Sequence, residues 1–207
     1  MAEQTPPGRA GRPWLLERIA IATHGVDLLG RKQQLLSREH RRLLQLREEA
    51  ARSWAAASSE ADRWATRVEA ISGATTARLV GASTQGCAEV TITWRNTMGA
   101  LHPDEARVVV PALDPMNRAV NAAVGPSSDA HQRALDAAAR QAVVESALRA
   151  IETELVSTRR RLRAIERHRL PMLEGELRAL TLRLDEVERE ERLVTRWAAQ
   201  RLAPGGW

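Results

Sequence analysis

Apolar side chains recur in steps of four and three from Leu15 onward: Leu15, Ile19, Ala22, Val26, Leu29, Leu36, Leu43, Ala50, Trp54, Ala57, Ala61, Trp64, Val68 and Ile71. Such spacing is a heptad seam, an apolar stripe along a helix that needs a second helix to cover it. Of the seventeen core positions that this phase defines between residues 15 and 71, fourteen are apolar, and the polar three are Gln33, His40 and Arg47. No proline interrupts Trp14 to Ile71. The segment therefore predicts one helix, roughly 85 Å long at the α-helical rise.

The C-terminal part repeats the pattern with Val144, Leu148, Ile151, Leu155, Leu162 and Ile165, then resumes with Leu173, Leu177, Leu180, Leu184, Val187, Val194 and Ala198. Leu162 to Leu173 spans eleven residues, which reads as a four-residue stutter that locally relaxes the left-handed supercoil. Pro171 lies inside it. A proline there removes one helical hydrogen bond and bends the axis, so the expectation is a helix kinked near Pro171.

Between these runs, residues 72–128 lose the heptad and gain Gly, Pro and Thr. Alternation at Val90, Ile92 and Trp94 and the apolar run Val108 to Val110 predict two short strands. Gly99 and Pro103 suggest a hairpin with a longer loop, and Gly125-Pro126-Ser127-Ser128 reads as the hinge into the second helix. A hairpin this small should lean on the helices or on a partner. The expected organisation is a disordered tail over 1–13, a coiled-coil helix over 14–71, a small head over 72–128, a kinked coiled-coil helix over 129–202 and a tail over 203–207. The fold class is mainly α: a long antiparallel two-helix coiled coil with a small β-hairpin head. Folded back this way, Gln33, His40 and Arg47 should lie opposite the stutter and Pro171, a candidate docking site for another protein.

Composition sharpens the picture. Aromatics are 3% of 207 residues, all of them the six Trp, with no Tyr or Phe. That argues against a thick globular interior and for a thin helical core. The formal charge of +5 is carried by Arg almost alone, Lys32 being the single lysine. Cys87 is the single cysteine, the first thirteen residues lack the apolar core of a signal peptide, and no run reaches the eighteen or so apolar residues of a membrane span. A cytoplasmic chain without direct membrane insertion is expected.

Candidate chemistry is sparse. Gly25-Val26-Asp27-Leu28-Leu29-Gly30-Arg31-Lys32 has the outline of a phosphate-binding loop, but Arg31 separates the second glycine from Lys32, Gln33 follows, and no strand precedes. The plainer reading is that Gly25 and Gly30 let another helix approach closely. The arginines at 159, 160, 161, 163, 167 and 169 read as a solvated helix face, because Glu152, Glu154 and Glu166 interleave and stacking aromatics are missing; nucleic acid is not an expected partner. Asp185 to Glu191 mixes both signs at helical spacing, as exposed intrahelical pairs do. The five histidines are scattered singly, with no metal-ligand spacing and no nucleophile signature. No catalytic residue, metal or cofactor is expected.

Two stretches at opposite ends, Leu15-Leu16 through His24-Gly25-Val26-Asp27-Leu28-Leu29 to Lys32, and Arg160 to Glu166 through Leu170-Pro171 to Arg183-Leu184-Asp185-Glu186-Val187-Glu188-Arg189-Glu190-Glu191, together resemble the D subunit of the V-type (vacuolar and archaeal/bacterial) rotary ATPases. Central Arg95-Asn96-Thr97-Met98-Gly99, followed by Pro103, is similar to that family's head segment. The resemblance implies a non-catalytic central-stalk rotor component that transmits torque in ATP synthesis or hydrolysis coupled to proton or sodium transport. Its implied partners are the catalytic A and non-catalytic B ring subunits, the F subunit and the membrane-side connector of C/d type, in a complex peripheral to the cell membrane. Candidate partner contacts in these stretches are Gly25, Leu28, Leu29, Lys32, Arg161, Glu166, Leu170, Pro171, Arg183, Leu184 and Glu188. The alternatives are a free coiled-coil scaffold, including one bridging nucleic acid, and an F-type gamma-like stalk component, which should carry a larger α/β middle domain.

Overall fold

The computed structural model describes residues 5–82 and 86–202. The expected tail over 203–207 and the first four residues of the N-terminal tail lie outside the described residues. A 3-10 turn at Gly8–Ala10 leads into helix α1 (Gly11–Ala82). Strands β1 (Glu89–Thr97) and β2 (Ala100–Val109), the short helix α2 (Pro115–Arg118), helix α3 (Val124–Ala164), a π turn (Ile165–Arg169) and helix α4 (Leu170–Leu202) follow. The chain divides into two compact units, Met1–Gln33 with Ser157–Trp207, and Gln34–Val156.

In the first unit the heptad side of α1 is the covered side. Leu15 is fully buried, and Ile19, Ala22, Val26 and Leu29 are half-buried. The facing run is Leu162, Ile165, Leu173, Leu177, Leu180 and Leu184, of which Leu173 is buried and the rest half-buried. A Cβ at Gly11 would lie 2.9 Å from Leu180 Cδ2, and one at Gly25 would lie 4.0 Å from Ile165 Cδ1. As α1 advances its partner recedes, so the pairing is antiparallel.

The phase slip resolves differently from a stutter. Before it, Leu162 to Ile165 is a step of three; after it, Leu173 to Leu177 is a step of four and Leu177 to Leu180 a step of three. Continuing the first phase would place seam residues at 169 and 172, but the apolar positions are Leu170 and Leu173. The seam therefore skips one residue, and one extra residue per turn is what a π turn accommodates. Leu170 N donates to Ile165 O, the five-residue step of a π bond. Pro171, which has no N–H to donate, follows at once. The chain stays helical through the slip.

In the second unit, Leu36 and Leu43 of α1 pack with Ala147, Leu148, Ile151 and Leu155 of α3, and Ala100 of β2 joins the same cluster. His40 Nε2 lies 3.0 Å from Glu152 Oε1, and Arg133 Nη2 donates to Glu60 Oε1 at 3.0 Å. The expectation that His40 faces Pro171 is thus corrected: it faces Glu152. Along residues 47–58 the covered side drifts. Arg47 and Trp54 are exposed while Ala51 and Ser58 are half-buried, the drift expected of an α-helix whose 3.6-residue turn outruns a 3.5-residue repeat. The helical path of α1 breaks at Gly73 (φ 78°, ψ 154°), a backbone conformation open to glycine and strained for other residues.

A second cluster joins Val68, Ala123 and Val124, with Trp64, Ala77, Val80 and Leu113 against it. Asp114 caps α2 by accepting from Met116 N at 2.9 Å, with Pro115 in the first turn. The Gly125-Pro126-Ser127-Ser128 stretch is the opening turn of α3, not a hinge. Pro126 is tolerated there because first-turn N–H groups have no helical acceptor anyway.

The strands are longer than expected and their connection shorter. Met98 (φ 53°) and Gly99 (φ 86°) form a two-residue turn with both φ positive, the hairpin turn whose twist matches that of the strands. Pro103 lies within β2, opposite Trp94, at a bulge where Asp104 is the extra residue. A bulge is one of the few places a strand admits proline.

Candidate functional site

All eleven candidate contacts fall in the first unit. Gly25 to Lys32 is helical throughout, so no loop there can cradle a phosphate. The close-approach reading of the glycines is also corrected. A Cβ at Gly30 would meet nothing within 4 Å, and one at Gly25 would make an ordinary contact. The glycine that is needed is Gly11, where a Cβ would sit 2.5 Å from Pro6 O as well as against Leu180. No spacing rule singled it out, because its need comes from a chain segment folding back over the helix start.

Leu28, Arg161, Glu166, Pro171 and Arg183 are exposed, while Leu29, Lys32, Leu170, Leu184 and Glu188 are half-buried. Several have intramolecular work. Glu188 lies 3.9 Å from Arg9 and 3.3 Å from Arg192, and Arg9 also reaches Glu191 at 3.3 Å. Arg183 and Leu184 line a groove with Thr5, Pro6 and Leu180, and Thr5 Oγ1 donates to Glu176 at 3.1 Å. Residues 5–10, expected in the tail, thus lie along α4. Exposed pairs of this kind contribute about 0–1 kcal/mol each, so they orient the segment more than they hold it.

From Arg189 to Arg201 every residue of α4 is exposed, with Leu193, Val194 and Trp197 each more than half so. Arg201 stacks on Trp197, its guanidinium 3.8 Å from the ring centroid. This helix end is both apolar and basic and is left uncovered by the described chain.

Charge chemistry is quiet. Arg42 is held above its ordinary pKa by its hydrogen bonds to Glu39, the shortest 2.8 Å, which keeps it charged at any working pH. Among the described residues no group of three or more His, Cys, Asp or Glu is placed to hold a metal ion, and no helix is long and apolar enough to cross a membrane. His102, which the sequence left as one scattered histidine, is buried in the hairpin. Its Nδ1 lies 2.9 Å from Pro103 O, which can only accept, so Nδ1 carries the proton and Nε2 accepts from the Thr97 hydroxyl at 3.0 Å. Both ring nitrogens are satisfied, so this histidine is structural.

A family model for the D subunit of ATP synthase matches residues 15–199. The D subunit of the A-type ATP synthase of Halorubrum lacusprofundi is 27% identical over 195 residues, covering 92% of this chain and 86% of its own. That of Thermococcus kodakarensis is 31% identical over 184 residues, covering 85% of this chain and 84% of its own.

Proposed function

The chain belongs to the ATP synthase D-subunit family and is a central-stalk component of an archaeal/V-type ATP synthase; from that premise we propose that it is the torque-bearing axle. In this reading the terminal helices enter the ring of A and B subunits. The rest couples to the F subunit and to the membrane-side connector, so that ATP synthesis or hydrolysis is linked to proton or sodium transport. The chain itself catalyses nothing. It works on the cytoplasmic side of the cell membrane.

The observation that supports this best is the bare end of α4. An axle inside a protein sleeve needs an outer surface without deep pockets or fixed ion-pair partners, because strong directional contacts would hold it at one angle. Leu193, Val194 and Trp197 provide apolar contact without direction, and Arg192, Arg196 and Arg201 around them keep this stretch of helix soluble. The open surface beside Gly25, Leu28 and Gly30, and the exposed Arg161, Glu166 and Pro171, are proposed contacts for the neighbouring stalk components. Leu29, Lys32, Leu170, Arg183, Leu184 and Glu188 then position those contacts by holding the helices beneath them. Paired helices suit torque, since each resists the bending of the other.

Affinity capture of the tagged chain from native membranes tests this. Recovery of nucleotide-binding ring subunits in stoichiometric amount is expected. Recovery of DNA in a salt-sensitive manner without ring subunits would instead establish the scaffold alternative. Stepwise trimming from Trp207 back into α4 should lower coupled ATP turnover gradually, and an abrupt total loss on removing only Arg201 to Trp207 would contradict a smooth axle.

A further inference from the structure

Six of the eleven residues from Arg159 to Arg169 are arginines, and Glu166 is the one acid among them. All six arginines are exposed, and none of their side chains has an ion-pair or hydrogen-bond partner among the described residues. Glu166 is exposed and unpaired in the same sense. Arginines elsewhere find acids: Arg42 holds Glu39 at 2.8 Å, Arg95 holds Asp104 at 2.7 Å, Arg133 holds Glu60 at 3.0 Å and Arg9 holds Glu191 at 3.3 Å. Of the acids just before the run, Glu152 is taken by His40 at 3.0 Å.

The placement of these cations is costly to the free chain. Arg159, Arg163 and Arg167 stand four residues apart and form one row, and like charges at that spacing weaken a helix. Arg160 flanks the row, and Arg161 lies about 200° round the helix from Arg159. The covered side is taken by Thr158, Leu162 and Ile165, which are buried or half-buried. The arginines therefore wrap the solvent side of the helix over a height of about 15 Å. A flat anionic surface would meet only part of such a band. A nucleic-acid strand would want aromatic side chains to stack on, and none lies between Arg159 and Arg169. An acidic protein surface that surrounds the rod meets all of it.

We propose that Arg159, Arg160, Arg163 and Arg167 form a cationic band that draws the chain into the surrounding ring by facing acidic side chains on the ring's inner wall. The proposal rests on the axle reading above. Arg161, at the far flank of the band, serves the stalk contact already proposed. Charges spread round a helix act through water over roughly 10 Å, so the attraction changes little as the axle turns. A single buried ion pair would instead favour one angle. The band thus supplies long-range attraction and steers association, while the apolar end of α4 supplies contact.

The test measures association of the full-length purified chain with the purified ring of A and B subunits at increasing salt. Wild type should lose on the order of tenfold in affinity between about 0.05 and 0.3 M salt, mostly through a slower association rate. The variant carrying Arg159→Gln, Arg160→Gln, Arg163→Gln and Arg167→Gln should bind on the order of tenfold more weakly at low salt, with little salt dependence left. A control carrying Arg47→Gln, Arg52→Gln, Arg63→Gln and Arg149→Gln removes as much charge from exposed positions of the other unit and should bind as wild type does. The band variant should also unfold at a slightly higher temperature than wild type, because the row of like charges is gone; this separates weaker binding from damaged folding. Band and wild type binding alike at every salt, or the control weakening as much as the band variant, would overturn the proposal and leave the axle reading standing. Wild type that joins the ring at no salt concentration would overturn both. Salt-sensitive retention on duplex DNA that the band variant loses while its ring binding is unchanged would assign the arginines to nucleic acid, and equally overturns the proposal.

Discussion

The helix seam and the hairpin use similar apolar residues to opposite ends. Along α1 and α3, Leu36, Leu43, Leu148 and Ile151 disappear into a shared core. Along β1, Val90, Ile92 and Trp94 stay in solvent. The difference follows from backbone hydrogen bonding. A helix satisfies its own N–H and C=O groups, so its single apolar stripe is all that a neighbour must cover. A strand satisfies only one edge through its hairpin partner, and a two-stranded ribbon has two faces, so tucking one part against the helices still leaves an edge and a face open. The seam stabilises the chain, while the hairpin is available for contact.

The contrast breaks most sharply under core truncation. Ile151→Ala, at a fully buried position, should cost about 2–5 kcal/mol in urea unfolding of the free chain, whereas Trp94→Ser in the monomer should stay within about 0.5 kcal/mol. Equal losses would mean that the hairpin face is buried in solution. Next in size, Gly11→Ala should destabilise by about 1–3 kcal/mol through overpacking against Leu180 and Pro6. Gly30→Ala, with open space around it, should stabilise by about 0.5–1 kcal/mol by removing a helix-interior glycine. Matching signs for the two would show that α1 does not pack against α4 as described.

A further comparison lies inside the helices, between regular seam and π turn. If Pro171 alone caused the turn, Pro171→Ala should recover most of the roughly 3 kcal/mol that a proline costs in a regular helix. Because the seam itself skips a residue there, the expected gain is smaller, about 1 kcal/mol. Removing His168 in the Pro171→Ala background should then keep the chain folded with an unbroken heptad. A midpoint well below that of Pro171→Ala would show that the turn is held by something other than the skip. The smallest effect is expected at the exposed pairs: Arg9→Ala should change the unfolding midpoint by no more than about 0.5–1 kcal/mol equivalent.

Most of the helical architecture was legible in the heptad spacing. The covered residues of α1 in the first unit are the predicted ones, and the break at Gly73 comes two residues after the last seam position. The apolar strand alternation located the hairpin as well. The candidate contacts were legible only as a neighbourhood. Leu184 and Glu188 proved partly occupied by the chain's own N-terminal segment, and Gly25 and Gly30 proved to have room around them.

What the sequence determined by itself is therefore what periodicity encodes: two long amphipathic runs, a proline at a phase slip and a short alternating insert. A repeat of 3.5 or 2 residues dictates which side chains share a face, because that depends on local backbone geometry alone. What only the tertiary structure decided is which faces are covered and by what. The single-residue skip became a π turn because both halves of the seam had to face one partner. Gly11 became indispensable because Pro6 and Leu180 converge on it, His102 was buried because the hairpin lies along the helices, and β1 was left open because β2 is the only strand that reaches it among the described residues. Each of these outcomes depends on residues far apart in the chain meeting in space, which no local spacing records.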